Sequence, residues 1–192
     1  MAVRHADRFV AVLDACVLAP ALQRNVLLSL AAAGLFRPRW SADILAETAR
    51  AIERITGEPH VGTVQVGRMC KAFPEGEVDP PERLPIGLEG IDEKDRHVAG
   101  AAVHCGAAAI VTDNLKDFPA SVLDAHDILA VSGDDFAADC IDLYQGAAVG
   151  ALRTMRERFE KPSLDTRALL TLLAARGMSE TAAVLRGFEG SL

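Results

Sequence analysis

Acidic side chains recur in this sequence at points where strands should end. Asp14 directly follows the short apolar run of residues 9–13, and Asp113, Asn114 and Asp117 follow the apolar run of residues 107–112. In open parallel sheets, ligands and metal ions gather outside the carboxyl ends of the strands. Both acidic points are therefore candidates for a site that binds a ligand or a metal ion.

Two more acids lie on predicted helices. Asp95 opens a stretch whose apolar residues recur with helical spacing up to residue 103, and Gly106 then ends the helix. Ser41 is suited to cap a helix that runs to residue 55, and Glu47 lies at the margin of the apolar stripe of that helix. Glu47 could thus point along the edge of the sheet that carries Asp14.

Each acid also has an ordinary structural explanation. Asp92 could cap the helix while Asp95 reaches back from the third helical position. Residues 113–117 could form a polar turn, because Asn and Asp favour turns, and Glu47 could be a solvated helix residue. Single acidic turns are common, so only the joint occurrence of these acids favours a functional site.

Four carboxylate positions above one sheet would repel one another strongly: Asp14, Glu47, Asp95 and the cluster at residues 113–117. A hard cation would neutralise them. Mg²⁺ or Mn²⁺ is the natural choice, because both prefer oxygen ligands and the sequence offers no His or Cys set. Such an ion lowers the pKa of a bound water and stabilises a phosphoryl transition state, so the chemistry indicated is hydrolysis of a phosphodiester.

Composition limits the class of protein. The chain has 192 residues, of which 50% are hydrophobic, and its formal net charge of −7 argues against a broad basic surface for nucleic acid. The four cysteines are far apart and form no C-x-x-C pair, which fits free thiols in a reducing compartment. Neither a membrane-spanning run nor a signal peptide is evident, so we expect a cytoplasmic protein without membrane association.

Local basic residues could still contact nucleic acid. Arg37 and Arg39 lie on a predicted strand, and Arg68 and Lys71 lie on a weakly patterned helix at residues 64–73. These four side chains could hold a phosphate backbone beside the acidic site, or they could simply belong to a solvated face. Charge alone gives no base preference.

The elements that must position these residues alternate along the chain. Short strands are predicted at residues 9–13, 36–40, 107–112 and 128–131, with helical stretches between them. This alternation predicts an α/β fold with a parallel sheet and helices on both faces. Residues 57–90 contain several prolines and are expected to form a surface connection around the helix at 64–73.

The last part of the chain is predicted to be helical throughout. Three helices are expected at residues 147–159, at 164–176 after the Pro162-Ser163 start, and at 180–188. We therefore divide the chain into an α/β domain, residues 1–144, and a small helical appendage, residues 145–192. The apolar faces of the appendage could pack on the chain itself or form a groove for a partner. They are formed by Leu169, Leu172, Leu173, Val184 and Leu185.

Three segments, in this order, resemble the PIN-domain family, especially its VapC-type toxins: LDACVLAP, RPRWSADILAE and DEKDRHVAGAAVHCGAAAIVTDNLKDFP. The resemblance covers residues 10–136. It implies a three-layer α/β/α sandwich and an endoribonuclease, a hydrolase that depends on Mg²⁺ or Mn²⁺. Asp14 matches the first acid of the family pattern, Glu47 the second and Asp95 the third.

The fourth acid departs from the family pattern. Asn114 stands where some PIN domains have Asp, which leaves Asp117 as the expected fourth catalytic residue and Asp113 as an additional metal ligand. Thr112 and Asn114 could orient a ligand or a water through hydrogen bonds. The metal ligands implied by the resemblance are thus Asp14, Glu47, Asp95, Asp113 and Asp117.

The resemblance also implies partners. A toxin of this type has RNA as its substrate and a cognate antitoxin as its protein partner, and a homodimer is a further expectation. One alternative is a catalytically inactive PIN-like module that binds RNA or protein, which the departure at Asn114 leaves open. A phosphatase that uses Asp14 is disfavoured, because LDACV lacks a second Asp two residues further on.

Overall fold

In the part of the chain that the structure describes, five short strands form one parallel sheet at the centre of the protein. A computed structural model describes residues 9–79, 85–160 and 163–192. Each pair of neighbouring strands is parallel, and their order in the sheet is β3-β2-β1-β4-β5. The strands are β1 Val10–Leu13, β2 Arg37–Ser41, β3 Glu77–Val78, β4 Ala109–Val111 and β5 Leu129–Val131.

Helices connect and flank these strands. α5 packs on β1, β2 and β4, whereas α2 contacts β2 and also packs against α7 and α8. The α-helices are α1 Ala15–Leu18, α2 Ala21–Ala32, α3 Ala42–Thr56, α4 Val61–Ala72, α5 Arg96–Cys105, α6 Ala120–Leu123, α7 Gly133–Leu143, α8 Gln145–Glu157, α9 Thr166–Ala175 and α10 Ser179–Arg186. The predicted α/β class, with a central parallel sheet and a helical tail, is confirmed.

Capping residues set the bounds of the two helices that matter most for the candidate site. The hydroxyl of Ser41 accepts a hydrogen bond from the Ile44 amide at 3.3 Å, and Gly57, with a φ of 71°, ends α3. Gly106 ends α5 in the same left-handed conformation, at a φ of 63°. Glycine takes this conformation without a steric penalty, so the end of α5 was predicted at Gly106, whereas α3 extends one residue beyond its predicted end at residue 55.

Residues 57–90 are more structured than a surface connection. α4 packs against α3, and at Gly62 an added Cβ would collide with the Ala49 carbonyl, so the close helix contact requires glycine. Glu77 and Val78 pair with Trp40 and Ser41 as the edge strand β3, which the sequence analysis missed. Two residues are too few to show a strand period. The prolines at 80 and 81 lie outside the described residues.

The C-terminal helices dock on the α/β part of the protein. The Asp134 carboxylate, on α7, accepts hydrogen bonds from the backbone amides of Glu180 and Thr181, both at 2.8 Å. It thereby caps the start of α10 from another element. Leu169, Leu173 and Leu185 are fully buried in the main core, so these apolar faces pack on their own chain.

The remaining predicted features of the tail differ only at their ends. α9 begins after Asp165, whose carboxylate accepts a hydrogen bond from the Ala168 amide at 2.7 Å. The predicted start at residue 162 lies outside the described residues. In the three described ranges no helix is both long and apolar enough to cross a membrane.

Candidate active site

A groove of about 520 Å³ opens at the carboxyl ends of β1 and β4, between α3 and the start of α5. Three of the predicted acids line it: Asp14 at the end of β1, Glu47 on α3, and Asp95 immediately before α5. Asn114, from the loop after β4, lines the same groove. The parallel sheet has therefore brought together residues that lie up to 100 positions apart in the sequence.

Asp14 is the most firmly held of these acids. It is 7% exposed, and its Oδ1 accepts a hydrogen bond from the Ala15 amide at 2.6 Å. The hydroxyl of Thr112 donates to its Oδ2 at 2.7 Å, and that hydroxyl accepts in turn from the Asn114 amide at 3.1 Å. Thr112 therefore links the loop after β4 to the carboxylate at the end of β1.

A thiol also contacts the Asp14 carboxylate. Cys16 Sγ lies 3.1 Å from Asp14 Oδ2 and accepts a hydrogen bond from the Asp113 amide at 3.2 Å. Burial raises the pKa of the Cys16 thiol to about 12, and the negative charge of Asp14 adds to the effect. The thiol is thus neutral and acts as a donor to Asp14 rather than as a nucleophile.

Asp95 is held quite differently. Its side chain is 19% exposed, and its Oδ2 is buried without a hydrogen-bond partner among the described residues. Burial raises the pKa of the Asp95 carboxyl, and the charges of Asp117 and Asp14 act in the same direction. The exposed Lys94 ammonium, 3.8 Å from Oδ2, opposes this shift.

The capping explanation for Asp92 is wrong. The residue at the N-cap of α5 is Asp95, and its side chain makes no capping hydrogen bond. The Asp92 carboxylate instead accepts from the Lys94 amide at 3.2 Å, within a turn that precedes the helix. Asp95 therefore has no capping role that would explain its carboxylate.

Glu47 has a partner that the sequence analysis missed. His97 Nε2, on α5, lies 3.3 Å from Glu47 Oε1, and His97 Nδ1 is a buried atom with no hydrogen-bond partner in the described part of the chain. His97 follows Asp95 by two residues, so the start of α5 carries both Asp95 and the partner of Glu47. The fold alone brings this histidine to α3, which explains why no local pattern revealed it.

The two acids of the loop after β4 lie outside the lining of the groove. Asp113 accepts hydrogen bonds from Gln23 Nε2 at 3.1 Å and from the Gly133 amide at 3.1 Å, so its carboxylate ties the loop to α2 and α7. Asp117 ends a short 3₁₀ turn, Leu115–Asp117, and lines an adjacent depression with Asp92. Its charge still acts on Asp95.

The four predicted phosphate contacts do not line the groove. Arg37 pairs in register with Val10, at the amino end of the sheet, whereas the acids lie at the carboxyl end. Arg39 lines the same depression as Arg37, and Arg68 lines a cleft between α2, α4 and α8. Among the described residues, the basic ones that line the groove are Arg50 and Arg54, three and seven residues after Glu47 on α3. Helical spacing from Glu47 could have indicated them.

The donors of the groove suit a hard divalent cation. Carboxylate oxygens are the ligands that Mg²⁺ and Mn²⁺ prefer, and the unpartnered buried Oδ2 of Asp95 is an acceptor that no protein group satisfies. In the described ranges, no three His, Cys, Asp or Glu side chains already stand close enough together to hold an ion. The site is thus a set of separate oxygen donors around one groove.

Comparisons with known proteins show what the chain is similar to. A family model described as "PIN domain" matches residues 10–116, more than half of the chain, and one described as "VapC50 C-terminal domain" matches residues 133–187. A curated protein of Mycobacterium tuberculosis named "Putative ribonuclease VapC50" is 41% identical over 80 residues, which cover 42% of this chain and 47% of that protein. The chain thus spans about half the length of this relative. No solved structure gives a significant match.

Proposed function

The chain belongs to the PIN-domain family, and on that premise we propose that it is an endoribonuclease that hydrolyses RNA phosphodiesters with the help of Mg²⁺ or Mn²⁺. The observation that carries the proposal is the groove in which Asp14, Glu47 and Asp95 converge, with one oxygen of Asp95 buried and unpartnered. A buried carboxylate oxygen that lacks a protein partner, close to two other carboxylates, favours a bound cation over a purely structural role.

Asp14, Glu47 and Asp95 would hold the ion, with Asp117 near enough to add negative charge. A divalent cation supplies an activated water and stabilises the charge that develops on a phosphoryl group. The work of the protein is to orient its oxygens. Thr112 and Cys16 fix the Asp14 carboxylate, and His97 fixes that of Glu47.

The same family membership supports the identity of the partners. The relative in Mycobacterium tuberculosis carries the name of a VapC ribonuclease, and the family model for its C-terminal domain matches the helical tail. We propose that this chain is likewise the toxin of a toxin–antitoxin pair, with a cognate antitoxin as its protein partner. The tail would belong to the folded toxin, because α10 is capped by Asp134 of α7.

An RNA cleavage assay tests this function. The wild-type chain should cleave single-stranded RNA in Mg²⁺ or Mn²⁺, and cleavage should stop when EDTA is added. The variants Asp14→Asn and Asp95→Asn should be inactive. Asp142→Asn is a matched control, because Asp142 is an exposed carboxylate of α7 outside the lining of the groove. Equal cleavage by the wild type and both groove variants would refute the proposal.

A second candidate is a PIN-like module that binds RNA or protein without cleaving it. Asn114 favours it, because this residue places an amide in the groove where some PIN domains place a carboxylate. The same assay separates the two functions. An inactive module would bind labelled RNA with no cleavage in any metal, and its binding would be insensitive to Asp95→Asn.

A further inference from the structure

The charge of the side chains along one wall of the groove changes from negative to positive. The residues of α3 that line it are Glu47, Arg50, Ala51, Arg54 and Ile55. They follow the i, i+3, i+4, i+7, i+8 spacing of a single helix face. Glu47 faces the acidic end of the groove, and the two arginines continue the same face toward the C-terminus of α3. The helix therefore presents an acid beside the candidate metal site and two cations beyond it.

The side chains of Arg50 and Arg54 make no polar contacts with the described residues. Both are exposed, and neither guanidinium forms a hydrogen bond or an ion pair with any described residue. Some other arginines of the chain, in contrast, are held by hydrogen bonds within the fold. Arg24 donates to the carbonyls of Leu18 and Ala19, and Arg96 donates to the carbonyl of Ile91 at 2.8 Å. The guanidinium N–H groups of Arg50 and Arg54 are thus available to bind a ligand.

Their surroundings explain what that ligand would be. The chain carries a net charge of −7, and the groove adds the carboxylates of Asp14, Glu47 and Asp95, so a polyanion approaching it is repelled overall. A guanidinium binds a phosphate through two parallel hydrogen bonds, and residues four apart on a helix have Cβ atoms about 6 Å apart. Two such groups on one groove wall suit two phosphates of one strand.

We propose that Arg50 and Arg54 bind backbone phosphates of the RNA next to the phosphate that is cleaved. They would fix the path of the strand along α3 and offset the repulsion from the acids. This inference rests on the proposed function, because it assigns a substrate contact to the same groove. It replaces Arg37, Arg39, Arg68 and Lys71 as the expected phosphate contacts.

Binding measured without cleavage tests the inference. Fluorescence anisotropy of a labelled single-stranded RNA is followed in EDTA with the full chain, over a series of salt concentrations. The variant Arg50→Gln/Arg54→Gln should bind more weakly. Its plot of log K against log salt should also be less steep by about 1.4, because each phosphate contact of a single strand contributes about 0.7 to the steepness. With Mg²⁺ present, KM should rise more than kcat falls, because ground-state binding is lost.

Two further variants make the test specific. Arg37→Gln/Arg39→Gln removes the same charge from a depression outside the groove, and its affinity and salt slope should match those of the wild type. Arg50→Lys/Arg54→Lys keeps the charge without the planar fork, so its salt slope should be retained while its affinity falls. Circular dichroism and thermal melting of each variant exclude misfolding as the cause.

The outcomes separate this inference from the proposed function. If the wild type binds and cleaves RNA, and the Gln variants of Arg50 and Arg54 bind it with unchanged affinity and slope, the inference is overturned and the function stands. An equal loss in the Arg37→Gln/Arg39→Gln variant would overturn it as well. If the wild type neither binds nor cleaves RNA, both the inference and the function fail.

Discussion

Asp95 and Asp134 are both largely shielded acids at helix starts, yet the protein treats them in opposite ways. Asp134, at the junction of α7 and α10, accepts hydrogen bonds from the amides of Glu180 and Thr181. Asp95, in the groove, has a buried oxygen with no hydrogen-bond partner among the described residues. The carboxylate of Asp134 thus forms hydrogen bonds that hold two helices together, whereas the carboxylate of Asp95 retains an oxygen that accepts no hydrogen bond from the described residues.

The difference separates stability from function. A carboxylate satisfied by backbone amides stabilises the helix that it caps, and removing it exposes those amides. A shielded carboxylate without partners, close to other negative charges, costs stability. Proteins keep such groups where a ligand satisfies them.

The largest expected effect is on cleavage by Asp95→Asn. We expect the rate of RNA hydrolysis to fall by at least about 10²-fold, because the variant loses a charge at the proposed site. The free energy of unfolding should not fall, since the substitution removes a charge that burial and neighbouring acids disfavour. Urea denaturation and a cleavage assay on the same sample measure both. If Asp95→Asn were less stable than the wild type but fully active, the proposed difference between Asp95 and Asp134 would be contradicted.

Asp134→Ala should show the opposite pattern. The unfolding free energy should fall by about 2 kcal/mol, because the amides of Glu180 and Thr181 lose their acceptor. The activity per folded molecule should remain close to that of the wild type, since Asp134 lies outside the groove. Asp134→Asn keeps one acceptor oxygen and should lose less stability. The comparison fails if Asp134→Ala abolishes cleavage without lowering stability.

Thr112→Val tests the support of the groove. The substitution keeps the shape of the side chain but removes the hydroxyl that donates to Asp14 Oδ2. Cleavage should fall by about tenfold, at the lower end of what loss of a ligand-orienting partner costs. Thr112→Ser keeps the hydroxyl and should retain most activity. Equal rates for the Val and Ser variants would mean that the hydroxyl has no role in positioning Asp14.

The smallest effect concerns pH. The pKa of Asp95 is raised in the folded protein, so its ionisation weakens the fold, and this cost is absent below the ordinary pKa of an aspartate and grows as pH rises through the raised value. In EDTA, Asp95→Asn should therefore be slightly more stable than the wild type at pH 7 and equal to it near pH 3, below the ordinary pKa of 3.8. A difference in stability that stayed constant between these pH values would contradict this expectation.

Features encoded by neighbouring residues were predictable from the sequence. Ser41 and Gly57 delimit α3, and Gly106 ends α5, because caps and left-handed turns require particular residue types. The place of Asp14 at the edge of the sheet followed from the rule that ligands gather at the carboxyl ends of parallel strands, whereas Asp95 was assigned to the site by the family resemblance. These inferences needed no knowledge of which side chains meet.

Features that depend on remote partners were not predictable. The hydrogen bonds of Asp113 come from Gln23 and Gly133, which lie 90 and 20 residues away, so the sequence could not tell whether its carboxylate was free. The same holds for the contact of His97 with Glu47 on another helix. The assignment of Asp113 and Asp117 as metal ligands accordingly stays a prediction.

Calorimetric titration with Mn²⁺ tests the central claim most directly, because it measures whether the groove binds a cation without assuming any RNA target. The wild-type chain should bind Mn²⁺, Asp14→Asn and Asp95→Asn should lose that binding, and Asp142→Asn should bind like the wild type. Binding of Mn²⁺ that is unchanged in both groove variants, or absent from the wild type, would contradict the proposal that these carboxylates form a metal site.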